Sequence, residues 1–128
     1  MMKNLTKESI LAIIEKKDTV LLATQKKVCL PIINRIYQKM KYGIKFDDIK
    51  VCGALVIDGH HRYICSLLVN IDIDRAKSSK TSATVAFNWQ DVEFVEEEWD
   101  TEDKIKQLNE LDADFNNMSI EEITEIIK

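Results

Sequence analysis

Residues 54–63 run Ala54-Leu55-Val56-Ile57-Asp58-Gly59-His60-His61-Arg62-Tyr63, and the fold turns on them. Leu55-Val56-Ile57 is a β-rich apolar run of the kind that fills a half-buried strand. Asp58-Gly59 is a turn pair, and Gly59 is free to take a positive φ or a close backbone approach that side chains resist. From His60 the period changes. Tyr63, Ile64, Leu67 and Leu68 fall on one face, which predicts a helix over 60–68. A strand that runs through a glycine turn into a helix leaves the first helical N–H groups without acceptors, with the positive dipole end behind them. That is the outline of an anion site.

The side chains around the turn suit the same chemistry. Arg62 can grip a phosphate or carboxylate with two parallel hydrogen bonds. His60 and His61, the only histidines, titrate near neutral pH. Asp58 can accept a proton, orient a histidine or bind Mg²⁺. The expected site therefore has Asp58 and His61 as catalytic groups, with Gly59, His60 and Arg62 holding the ligand. Asp58 is the candidate metal ligand. Adjacent helical residues point about 100° apart, so one imidazole is expected to meet the ligand and the other to support the turn. A common Asp-Gly turn followed by a solvated His-His-Arg is the plain alternative.

Upstream, Ile49 and Val51 alternate and Cys52-Gly53 can turn, which makes a hairpin with 54–57. Pro31 suits a first helical position, Ile32, Ile33, Ile36, Tyr37 and Met40 follow at helical spacing, and Gly43 stops the helix. An earlier helix is expected from about Thr6 to Lys16, with Thr6 and Glu8 in its first turn. Val20-Leu21-Leu22 fits strand or helix. Downstream, 69–73 extends the helix or starts a strand, 76–82 is a polar mobile loop, and 84–87 and 92–95 are strand-like. Asp100 with Asp103 resembles a capping pair before a helix, and Ser119-Ile120-Glu121-Glu122 has the form of a capping box. The expected fold is α+β: a small mixed sheet from about 49–57, 69–73, 84–89 and 92–96, packed by helices. Residues 1–128 make one domain, with a core over about 44–98 and a helical C-terminal extension over about 100–128.

Composition narrows the class. The chain has 128 residues, 45% apolar, which suits one globular core. No apolar run approaches the roughly 20 residues that span a bilayer, and residues 1–4 lack the apolar stretch of a secretory leader, so a cytoplasmic protein is expected. Cys29, Cys52 and Cys65 match no zinc spacing and sit among apolar neighbours, as small buried hydrophobes in a reducing compartment do. Charge is graded. Residues 1–50 carry eleven Lys/Arg against five Asp/Glu, and residues 91–128 carry three against fourteen. The two ends face each other, within a monomer or across a homodimer, or the acidic C-terminal region meets a basic protein partner, or that region is a solvated acidic face with no partner. Within it Trp99, flanked by Glu96-Glu97-Glu98 and Asp100, is an interface anchor or a half-buried core residue. Strong duplex DNA binding is disfavoured, because it needs a concentrated basic surface.

Asp58-Gly59-His60-His61-Arg62-Tyr63 behind an apolar strand, continuing into Ile64-Cys65-Ser66-Leu67-Leu68, resembles the signature of the ParB/sulfiredoxin superfamily, over about residues 44–73. The motif is nearest to that of the superfamily's free serine kinases. The resemblance implies a ParB/sulfiredoxin-like fold whose turn and helix start bind nucleotide phosphates: ATP, ADP or CTP, with Mg²⁺ as a companion. His60 stands where sulfiredoxins carry their reactive cysteine, so reductase chemistry is not implied. No Glu-Asn-x-x-Arg motif of the ParB kind follows residue 70. Three functions follow from this: a small phosphotransferase or nucleotide hydrolase, a non-catalytic regulatory or immunity-type module using its acidic C-terminal region, and, with least support, a nuclease.

Overall fold

The computed structural model describes residues 5–128, so the expectation for residues 1–4 lies outside it. The hairpin and the helix after it form as the sequence dictates. β2 (Ile49–Cys52) pairs antiparallel with β3 (Leu55–Asp58) across Gly53, whose φ is +57°. Then α3 (His60–Leu68) follows at once. Before them come α1 (Lys7–Glu15), β1 (Lys27–Cys29) and α2 (Leu30–Lys41); after them come β4 (Arg75–Lys77), a 3₁₀ turn (Trp89–Asp91), β5 (Glu93–Val95), α4 (Glu102–Phe115) and α5 (Ile120–Ile126). The architecture is α+β, with small sheets packed by helices.

One sheet has the order β3-β2-β4 and is mixed, since β4 runs parallel to β2; the other is a parallel pair, β1-β5. Residues 22–23 stitch further chain onto β3. Leu22 exchanges hydrogen bonds with the β3 end of the hairpin, and Ala23 exchanges two with Phe87. This extended conformation answers the open choice at Val20-Leu21-Leu22.

Two strand expectations and one loop expectation need correction. Residues 69–73 form no strand, because Asn70 takes a φ of +60° and the Ile71 N–H turns back to the Ser66 carbonyl, closing α3 in the left-handed manner. The next strand is β4, whose last two residues, Ala76 and Lys77, begin the stretch 76–82 that reads as a mobile loop. Its two exposed positions, Arg75 and Lys77, are charged because it lies on a sheet edge, and the ladder is extended by Ile49 N–H to Asp74 and Ser78 N–H to Val51. Over 84–89 only Phe87 pairs, because Thr81–Thr84 is a turn and Trp89 begins the 3₁₀ turn. The N-cap of α4 is Thr101, whose Oγ1 accepts from Lys104 N–H, in place of Asp100. Thr6 caps α1 in a box completed by Ser9, where Glu8 was expected to help. Ser119 and Glu122 form the predicted box.

The main core gathers Ile10, Val28, Ile33, Ile49, Val56, Ile64, Trp89 and Val92, so α3 is clasped between α1, α2 and the hairpin. A second, smaller cluster of Ile44, Ala113 and Ile123, with Phe46, Met118 and Ile126 against it, holds α4 and α5. Cys29 and Cys65 are buried, Cys52 is half-buried, and all three are free thiols. No helix among the described residues is long and apolar enough to cross a membrane.

Candidate functional site

Gly59 is the N-cap of α3, with φ +93° and ψ +31°, and no side chain caps the helix. The first intrahelical bond is Tyr63 N–H to the Gly59 carbonyl, at 2.8 Å, and the N–H groups of His60, His61 and Arg62 have no acceptor among the described residues. A Cβ on Gly59 would lie 2.7 Å from Ile49 Cγ2 and 2.8 Å from Arg62 Nη2. The glycine is required by conformation and by packing together.

The histidines do what the sequence does not disclose. His60, only 3% exposed, accepts the Thr24 backbone N–H on Nε2 at 3.0 Å. His61 accepts the Cys29 backbone N–H on Nε2 at 3.0 Å. An N–H can only donate, so Nε2 is the bare nitrogen of each neutral ring and the proton sits on Nδ1. Neither Nδ1 is both sealed from solvent and unpaired, since among the described residues only Gln38 Oε1 is. Burial pushes both imidazoles from 6.5 down to about 4. Asp58 partly opposes this at His60, whereas His60, Arg35 and Arg62 reinforce it at His61. Tyr63 extends the pattern by accepting the Leu21 N–H at 2.7 Å, while Trp89 Nε1 donates to the Leu21 carbonyl at 2.8 Å. Three side chains of α3 thus staple the segment 21–29 along its backbone.

Arg62 Nη1 donates to the carbonyls of Asp47 and Asp48 at 3.0 and 3.1 Å, and Nη2 lies 3.6 Å from the Asp58 carboxylate. Its guanidinium braces the loop before β2. Asp58 is largely exposed at the end of β3. No group of three or more His, Cys, Asp or Glu side chains among the described residues is placed to hold a metal ion. A Mg²⁺ at Asp58 would therefore need ligands from a bound phosphate, the usual arrangement for this ion.

All five sequence-predicted residues, Asp58, Gly59, His60, His61 and Arg62, line one cleft of about 840 Å³. That volume falls within the range of about 300–1,000 Å³ typical of small-molecule sites. Both imidazoles line it, although adjacent positions were expected to divide the work. Residues absent from the sequence-derived site form the opposite walls: Arg35, Ile36 and Lys39 of α2, and Ile105, Leu108 and Phe115 of α4. Arg35 and Lys39, four apart on α2, carried a signal in the charge gradient between the chain's ends. Arg35 is held by Glu98 and Asp100, and Lys39 by Asp112 and Asn109. The Arg35 guanidinium holds the Glu98 carboxyl below its usual range. Trp99, 44% exposed, meets the His61 ring edge-on at 5.7 Å. It belongs to neither hydrophobic core cluster. No family model, no curated protein and no solved structure matches this chain.

Proposed function

We propose that this protein binds a nucleotide through its phosphates at the start of α3, in the ParB/sulfiredoxin-like manner that its motif resembles. One observation carries the proposal. Three unpaired backbone N–H groups at an uncapped helix start open, with Arg62 and two histidine rings, onto a cleft large enough for a nucleotide. The rings suit donation: with the proton on Nδ1, each offers an N–H to an anion. Apolar side chains of α2 and α4 offer a surface for the body of the ligand, and Asp58 stands where a phosphate-bound Mg²⁺ could share a carboxylate.

Phosphoryl transfer or hydrolysis would rest on Asp58 and His61. Such chemistry asks chiefly for positioning and charge stabilisation. A binding module without turnover is favoured by one specific fact: the accepting nitrogen of His61 is occupied by Cys29, which makes that ring a poor general base as it stands. A thermal-shift series with ATP, ADP, CTP and GTP, with and without Mg²⁺, tests the common element. Ligand at 100 times Kd stabilises by about 2.7 kcal/mol, and no shift with any of them rejects nucleotide binding. Phosphate release from wild type and Asp58→Asn separates the two: an enzyme loses turnover by roughly 10²-fold or more, and a binding module has none to lose.

A further inference from the structure

The cations that face the α3 helix start from α2 are already taken. Both Nη atoms of Arg35 donate to the Glu98 carboxylate, and Nη2 also reaches Asp100 Oδ2 at 3.3 Å. Lys39, 4% exposed, donates to Asp112 Oδ2 at 2.6 Å and Asn109 Oδ1 at 2.8 Å. Every one of these acids comes from the stretch 98–112. Between Glu98 and Asp100, Trp99 lies against His61, whose Nε2 is joined to Cys29, and the Cys29 thiol donates to the Glu97 carbonyl at 3.3 Å. The acidic stretch is therefore laid directly beside the phosphate turn. α4 packs closely on α5, and its link to α2 runs through these polar side chains across the cleft.

One guanidinium between two carboxylates leaves a net charge of −1 next to the proposed anion site. Building on the nucleotide-phosphate reading above, we propose that the stretch Glu98–Asp112 is an autoinhibitory strap. Its carboxylates occupy on Arg35 the place that the outer phosphates of a bound ligand would take. A polyphosphate anion displaces Glu98 and Asp100 from Arg35, and Trp99 leaves His61 as it does so. The Lys39–Asp112 pair, being buried, stays closed and keeps α4 attached. The strap sets a threshold: only an anion with enough charge to outcompete two carboxylates gains the site.

The test uses the whole chain with Glu98→Gln and Asp100→Asn combined, leaving Lys39–Asp112 intact. Binding of ATP and of inorganic tripolyphosphate is measured by calorimetry, and Trp99 emission is followed with Trp99→Phe as the blank. The expected result is affinity at least about tenfold tighter in the double variant for both anions, since two repelling charges are removed. In wild type, saturation with either anion changes the emission of Trp99, and the change is absent in Trp99→Phe. Equal or weaker binding by the double variant, with wild type binding, overturns the strap and leaves the anion site standing. So does an emission that ignores saturation. If neither protein binds either anion while circular dichroism shows both folded, the anion site itself fails and the strap with it. Should the double variant not fold, Asp100→Asn alone carries the test, with an expected gain of about threefold; no gain overturns the strap.

Discussion

The ring of His61 accepts the backbone N–H of Cys29 at 3.0 Å, and through that bond the start of α3 holds the junction between β1 and α2. His61→Ala would leave that N–H without its acceptor, at a cost of about 1–3 kcal/mol. His61→Gln can place an amide oxygen near the position of Nε2 and should recover most of the loss. Urea denaturation of the three proteins measures it. An Ala variant as stable as wild type would show that the bond contributes nothing.

Acid should unfold the protein through the same two rings. His60 and His61 are held neutral by the fold, with values near 4 against 6.5 for a free imidazole. The unfolded chain therefore takes up protons first as pH falls. The contribution of these rings is complete above about pH 6.5, declines from there to about pH 4, and changes no further below that. The loss is on the order of 2–3 kcal/mol for each ring. Urea midpoints at half-unit steps from pH 4 to pH 8 should fall through this window, and a His60→Asn, His61→Gln protein should show a flatter profile.

Gly59→Ala tests the fold more than the ligand. The left-handed backbone costs a side chain about 1–2 kcal/mol, and contact with Ile49 Cγ2 and Arg62 Nη2 adds about 1–3 kcal/mol of overpacking. The variant should melt well below wild type with or without nucleotide. A variant of wild-type stability would mean that Ile49 and Arg62 give way freely.

Arg62 braces the loop before β2 and, on the proposed function, also holds the ligand's phosphates, and the two roles can be separated. Arg62→Ala should weaken nucleotide binding by about 10- to 100-fold, the scale of a lost charge-assisted hydrogen bond, and should also loosen the Asp47–Asp48 loop that its Nη1 braces. Arg62→Lys keeps the charge but not the fork, so it should retain part of the binding and little of the bracing. Calorimetry reads the first effect, and hydrogen exchange over residues 45–50 reads the second.

What was legible in the sequence follows the length of each element. α2, α3 and the β2–β3 hairpin announce themselves because a period of 3.6 or 2 persists for long enough to be seen, with Pro31, Gly43 and Gly59 marking the ends. β1 and β4, three residues each, are too short to show any period. Their existence depends on partners in β5 and β2, which are remote along the chain. At the site, Asp58 to Arg62 could be placed on a helix start from local pattern alone. That both imidazoles accept backbone N–H groups could not, since Thr24 and Cys29 lie 36 and 32 residues upstream. The opposing charges of the chain's two ends left several readings open, and the ion pairs of Arg35 and Lys39 with Glu98, Asp100 and Asp112 join the two ends within one chain. The residue pairs were beyond the reach of composition.

Two hydrophobic clusters, both touched by the half-buried Phe46, should give the molecule two tiers of cooperativity. The cluster of Ile44, Ala113 and Ile123 is small and mostly local to α4 and α5, whereas the main core spans Ile10 to Phe94. Opening α4 and α5 breaks the small cluster and exposes Lys39 while leaving the α3 staples in place. Native-state hydrogen exchange should thus sort the amides into a C-terminal foldon of low opening free energy and an inner foldon that exchanges only through global unfolding. Limited proteolysis should cut first between residues 96 and 118, releasing a trimmed body that still carries the Gly59 turn.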